Sequence, residues 1–155
     1  MTGHGGTELL LRNLERVQAL FPPGFSPVVE CLKVGLDRIE LGGLGLYRKV
    51  PGSYDAEEKA IRLNPDLSDS EKSELAAGIS RRNGVTITAA DLFVWVFFHE
   101  AAHHLRRRNV LAMSRRNVLG GGLGLAEGEA LCYEEAEAES YARRRFLAWK
   151  KGRRA

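Results

Sequence analysis

His99, Glu100 and His103 stand in the stretch Phe97–Leu105, FFHEAAHHL, and together they form an HExxH pattern. On a helix, side chains four residues apart lie one above the other, so two imidazoles can reach one cation at about 2 Å. Glu100 projects beside them, too far round the helix for a third ligand but near enough to take a proton from a metal-activated water. That is the donor set of metal-assisted hydrolysis. The competing explanation, an accidental match, is weakened by the setting, because the residues before His99 are apolar on every side and a buried polar group without a function is costly.

A hydrolytic zinc site takes three protein ligands and keeps a fourth position open. His4 sits in a glycine-rich terminus. His104 is turned about 100° round the helix from His103, which makes it a surface residue or a support for the ligands. The third ligand is therefore sought among the glutamates of the last helix, Glu127, Glu129, Glu134, Glu135, Glu137 and Glu139. Most of them suit a solvated acidic face. Glu135 differs, because it shares a stripe with Leu131, Ala138, Ala142 and Phe146, the side that must face the core. Small residues at Ala136, Ala138 and Ala142 allow close approach to the motif helix.

The elements that must position these groups follow from hydrophobic periodicity and turn residues. Thr7–Phe21 has helical spacing and is stopped by Pro22-Pro23-Gly24. Three short stretches read as antiparallel strands, Gly35–Leu41, Gly45–Val50 and Lys59–Asn64, divided by Gly42-Gly43 and Pro51-Gly52-Ser53. In the last of them Ile61 and Leu63 face one way and Arg62 and Asn64 the other. Ser68–Arg82 is a polar helix ended by Asn83-Gly84. Thr88 and Asp91 have the form of a capping box that opens the motif helix, expected to run to about Arg106. Arg107–Gly124 reads as a loop or short helix, in the position of a lid, and Ala126–Lys150 as the last helix, acidic first and basic later, as the helix dipole favours.

The chain of 155 residues fits one domain, residues 1–155, with 1–6 expected to be disordered and 150–155 a basic tail. The fold class is α+β: a small antiparallel sheet of about three strands, packed on a buried active-site helix and a C-terminal glutamate helix. The longest apolar run, Leu92–Phe98, is too short to span a membrane. The N-terminus lacks a secretory signal, so the cytoplasm is the expected compartment. Cys31 and Cys132 are too few for a disulfide framework. The net charge is +3, and 17 of the 23 basic residues are arginine, clustered at 106–108, 115–116 and 143–145. The absence of any stacking-aromatic or helix-turn-helix pattern argues against nucleic acid as the partner.

The HExxH at His99–His103, followed at a distance by Glu135-Ala-Glu-Ala138-Glu139-Ser-Tyr141-Ala142, resembles the gluzincins, zinc peptidases in which a second helix bears a metal-ligating glutamate. The pattern looks like that of the small soluble minigluzincins. It is also similar to the catalytic domains of phage-immunity regulator peptidases and to the larger membrane-bound prenyl-protein peptidases. The resemblance implies a zincin-like fold, with Zn2+ held by His99, His103 and Glu135 and with Glu100 as general base and acid. Glu139 stands where the family usually has Asp or Asn to fix a ligating histidine through its N–H. In such enzymes an exposed strand binds the substrate backbone, a role this implies for Ile61, Arg62, Leu63 and Asn64 at a sheet edge. The expected function is zinc-dependent hydrolysis of peptide or protein substrates. The alternative is a latent or non-catalytic zinc-binding regulatory protein, with the tail after Trp149 lying in the cleft.

Overall fold

The segment that is apolar all round, Leu92–Phe98, can satisfy its hydrophobicity only by being surrounded, and the rest of the fold is arranged about it. The computed structural model describes residues 14–36, 38–42, 50–116 and 127–153, with side chains as far as Arg106 and again from Glu135 to Gly152. In chain order the described elements are α1 (Leu14–Gln18), α2 (Pro27–Val34), β1 (Arg38–Leu41), β2 (Gly52–Asp55), β3 (Ala60–Leu63), α3 (Asp69–Asn83), a 3-10 turn (Ala89–Asp91), α4 (Leu92–Arg116) and α5 (Glu127–Arg153). Helix α4 bears the HExxH pattern. It is flanked by α5 and by the sheet.

Phe93, Trp95 and Phe97 of α4 are almost wholly buried. They are covered from three directions. Phe21 and Phe25, on either side of the Pro22-Pro23-Gly24 turn, stack at 4.9 Å, and Phe25 meets both Phe97 and Phe98 edge-on at 5.7 Å. Phe146 of α5 lies 5.9 Å from Trp95. Ile39, Ile61 and Leu63 close the core from the sheet. Such edge-to-face aromatic packing adds to the area term and limits the orientations available to α4.

The sheet departs from the antiparallel arrangement expected of the sequence. Its strand order is β1-β3-β2, with β1 parallel to β3 and β2 antiparallel to it. The expected strand Gly45–Val50 lies outside the described residues apart from Val50, and the strand partner of β3 is instead Gly52–Asp55. Pro51-Gly52, which reads as a divider, stands at the start of this strand, where a proline is tolerated. Since β3 is bonded on both sides, Ile61–Asn64 is not a sheet edge, and the substrate-binding edge expected there is corrected. Ile61 and Leu63 are core residues, Arg62 is paired to Glu40 at 3.2 Å and Asp55 at 3.0 Å, and buried Asn64 donates to Val50 O at 3.2 Å.

Gly52 explains how β2 can lie directly on α4. A β-carbon at this position would stand 2.6 Å from Val96 Cγ1 and 2.9 Å from the Arg62 carbonyl oxygen. Neither neighbour can retreat freely, one being packed in the core and the other backbone. Gly52→Ala is therefore expected to cost about 1–3 kcal/mol through overpacking, read as a lowered urea midpoint at unchanged m-value. An unchanged midpoint would mean that the strand does not sit on the helix.

The helices show where local chemistry was legible and where it was not. Ser68 and Glu71 form the reciprocal capping box of α3, at 3.1 and 3.0 Å, and Gly84 ends it in the left-handed region at φ 62°. Thr88 makes no capping bond with its side chain; buried Asp91 pairs with Lys150 at 3.2 Å instead. Helix α4 continues to Arg116, so the first half of Arg107–Gly124, expected as a loop or short helix, extends the motif helix, and 117–124 lies outside the described residues. Helix α2, opened by Ser26 as N-cap and Pro27 in the first turn, was not anticipated. Of the expected Thr7–Phe21 helix, Leu14–Gln18 is helical and 7–13 lies outside the described residues. No helix among the described residues is long and apolar enough to cross a membrane.

Candidate metal centre

The centre is assembled from two helices that approach through small residues. Ala101 and Ala102 of α4 and Ala138 and Ala142 of α5 are all buried, so the helices can come close beside the two histidines. His99 and His103 are each about one-seventh exposed, at 16% and 14%, and their rings lie 5.1 Å apart. Glu135 completes the group from α5. Its carboxylate places Oε2 3.2 Å from His99 Nε2 and Oε1 3.1 Å from His103 Nε2. The Glu135 side chain is 62% exposed, but its acidic end spans both imidazoles.

A metal test follows from these distances. Ligand atoms about 2.0–2.1 Å from a tetrahedral zinc ion are about 3.3 Å from one another. The observed separations of 3.2 and 3.1 Å are of that length, but they run to different oxygens of Glu135. Glu100 is also close: donor atoms of His99, Glu100 and His103 lie within 4.8 Å of one another and form a group able to hold a metal ion. The helix wheel set Glu100 too far round to be a ligand, and the three-dimensional spacing brings it nearer than that. Of the two carboxylates, Glu135 is the one in direct contact with both Nε2 atoms.

Electrostatics separate the roles further. Burial lowers the pKa of His99, opposed by the neighbouring Glu135 carboxylate, so its neutral, ligating form is favoured. Burial also raises Glu100 to about 7, with the His103 imidazole opposing and the Glu135 charge reinforcing the rise. The two glutamates sit in different surroundings. One is open to solvent and faces two nitrogen donors. The other is buried and holds a proton near neutrality, the condition of an acid–base group.

The residues around the centre are placed as follows. Glu139, one turn beyond Glu135, accepts from Asn83 Nδ2 at 2.8 Å and has Arg82 Nη2 at 3.7 Å. Asn83 in turn donates to Ile79 O at 3.0 Å, and Arg143 Nε donates to Asn83 O at 2.9 Å. These links fasten the end of α3 to α5 one turn beyond Glu135. His104 is neither a surface residue nor directed at the ligands. It is buried, and its Nδ1 is hydrogen-bonded to the Tyr54 hydroxyl of β2 at 2.7 Å. Turning away from the metal position carried it inward to the sheet, a possibility the helical wheel alone left open.

Beside the centre lies a cleft of about 360 Å³, lined among others by Pro51, by Gly52 of β2, by Leu75, Ile79 and Arg82 of α3, and by His99 and Glu100 of α4. Among the described residues, none after Trp149 lines it. Trp149 packs on Phe25 and Phe146 and donates to Gly24 O at 3.4 Å, and the helix runs on to Arg153. The apolar surface presented by Phe25 and Phe146 holds the indole away from the centre. Tyr141 is half-buried against the core, and burial raises its phenol. Cys31 is buried and in no disulfide, and the Cys132 side chain is outside the described residues.

Comparison of the chain with protein-family models, curated proteins and solved structures returns no match. Tyr54, Asn83 and Arg82 had not been singled out from the sequence. Tyr54 follows a Pro-Gly-Ser run that reads as a turn, and Asn83 and Arg82 read as the polar end of a surface helix. Only the packing of α3 on α5 gives those last two a relation to the centre.

Proposed function

We propose that the chain is a zinc-dependent metallopeptidase of the gluzincin type, with His99, His103 and Glu135 as ligands and Glu100 as proton carrier. The observation that carries this reading is the contact of one carboxylate with both Nε2 atoms across a helix–helix interface. An isolated HExxH helix offers two donors; the second helix supplies the third. A zinc ion bound by these residues supplies Lewis-acid polarisation of a water and of a peptide carbonyl.

The chain's own residues supply the rest. Glu100 accepts the proton of the attacking water and delivers it to the leaving amide nitrogen. Its burial suits it to both transfers, since a group titrating near 7 gives up and takes a proton at similar cost. Strand β2 has β3 on one side only among the described residues, and it borders the cleft at Pro51 and Gly52. It is the strand suited to pairing with an extended peptide by strand addition, in place of Ile61–Asn64. The Tyr54–His104 bond ties that strand to the motif helix one residue beyond a ligand.

Metal analysis of purified protein, with a Glu135→Ala comparison, tests the ligand set. The expected result is one zinc per chain in the parent. For the variant, affinity should fall by at least about tenfold, with cleavage of an unstructured protein substrate lost. Full zinc occupancy in Glu135→Ala would overturn the assignment of the third ligand.

A further inference from the structure

We propose that Arg82 is a specificity residue that selects a carboxylate on the bound peptide; this rests on the reading of the cleft as a peptide site. One face of α3 forms a wall of the cleft through Glu74, Leu75, Gly78, Ile79 and Arg82, the spacing of a single helical stripe. The wall is charged at its two ends with opposite sign, and apolar or bare between them. Eight residues of helix separate Glu74 from Arg82, about 12 Å, enough for three or four residues of extended peptide.

The other acids of the cleft are already engaged or buried. Glu135 faces the imidazoles, Glu100 is buried, and Glu139 accepts a 2.8 Å bond from Asn83. Arg82 is different. Its guanidinium is ion-paired with Glu139 Oε1 at 3.7 Å, a contact longer than a hydrogen bond, and its side chain is 62% exposed, so the pair is open to exchange for another carboxylate. It is also folded back over its own helix: Nη1 lies 3.5 Å from where a β-carbon on Gly78 would stand.

A solvated cation near a helix C-terminus is the ordinary role of such a residue, and Arg81 next to it fills that role equally well. Arg82 alone of the two borders the cleft. Guanidinium geometry matches a carboxylate through two parallel N–H donors. The nearby Glu74 and Glu139 favour a singly charged carboxylate over a doubly charged phosphate. The carboxylate can come from an Asp or Glu side chain or from a free C-terminus.

Binding separates these sources and does not depend on turnover. Fluorescein-labelled hexapeptides are titrated by anisotropy against Glu100→Gln protein as purified: central Glu with an amidated end, central Gln with an amidated end, and central Gln with a free carboxylate. One of the two carboxylate peptides should bind about tenfold more tightly than the neutral one, with the preference reduced in high salt. Arg82→Gln should equalise the affinities, and Arg82→Glu should favour a central-Lys peptide. Arg82 is exposed, so both variants should fold. Equal affinities in the parent, no measurable binding, or a preference that survives Arg82→Gln would each overturn the assignment. Arg82-dependent binding by a protein whose parent form cleaves no peptide would instead overturn the peptidase reading and leave Arg82 standing.

Discussion

Glu100→Gln is expected to lower kcat for peptide cleavage by about 10²–10⁴-fold while leaving zinc bound. An amide matches the carboxylate in shape but cannot accept the water's proton, whereas His99, His103 and Glu135 are untouched. The same substitution carries a stability signature in the metal-free protein. Burial raises Glu100 from 4.5 to about 7 in the folded state, so the folded chain binds this proton more tightly than the unfolded chain does. The sign follows directly: stability is greatest below about 4.5, falls as pH rises towards 7, and is lower by about 3 kcal/mol above that. Glutamine removes that penalty. Chelator-treated Glu100→Gln should therefore unfold at higher urea than the chelator-treated parent at pH 8, and the two should converge near pH 4. Full activity in the variant would refute the role of Glu100. Parallel pH–stability curves would refute its burial as a charge.

Phe97→Ala is expected to cost about 3–5 kcal/mol, a large part of the 5–15 kcal/mol typical of a domain. Phe97 is wholly buried and lies 5.7 Å from Phe25 and 5.8 Å from Phe98. It sits two residues before His99, so the resulting cavity loosens the part of α4 that aims the first imidazole. Urea unfolding of the metal-free form measures the cost. A loss below about 1 kcal/mol would mean that the aromatic group around α4 is not the centre of the core.

The motif, the helix bearing it and the helix bearing Glu135 were readable from the chain because each rests on a local rule. The four-residue spacing of His99 and His103, the apolar turn before them and the buried stripe through Ala138, Ala142 and Phe146 are properties of single helices; Glu135, expected on that stripe, is instead 62% exposed. The Ser68–Glu71 cap and the Asn83-Gly84 stop were legible for the same reason. What was misread depends on pairing between distant segments. The alternation of Ile61 and Leu63 says that a strand has a buried face, but not whether it has neighbours on both sides, so from sequence β3 reads as an edge although it is the central strand. Pro51-Gly52-Ser53 has turn composition, but it became strand because the missing side chain at Gly52 lets the backbone rest on Val96. Thr88 and Asp91 have the right types for a capping box, but Lys150, fifty-nine residues after Asp91, claims the carboxylate. His104 was assigned by angle alone, which cannot tell an outward direction from one leading to Tyr54.

The join between His103 and Glu135 has a further meaning for the chain as a polymer. An ion held by these two side chains would act as a cross-link between segments thirty-two positions apart, pinching off a loop much as a disulfide does without requiring an oxidising compartment. Loop-closure reasoning makes such a clasp worth a few kcal/mol through the entropy it removes from the unfolded ensemble. The third anchor arrives only with the last helix, so a chain growing from its N-terminus holds an incomplete donor set until residue 135 has been made. Capture of the cation would then be a late event in maturation.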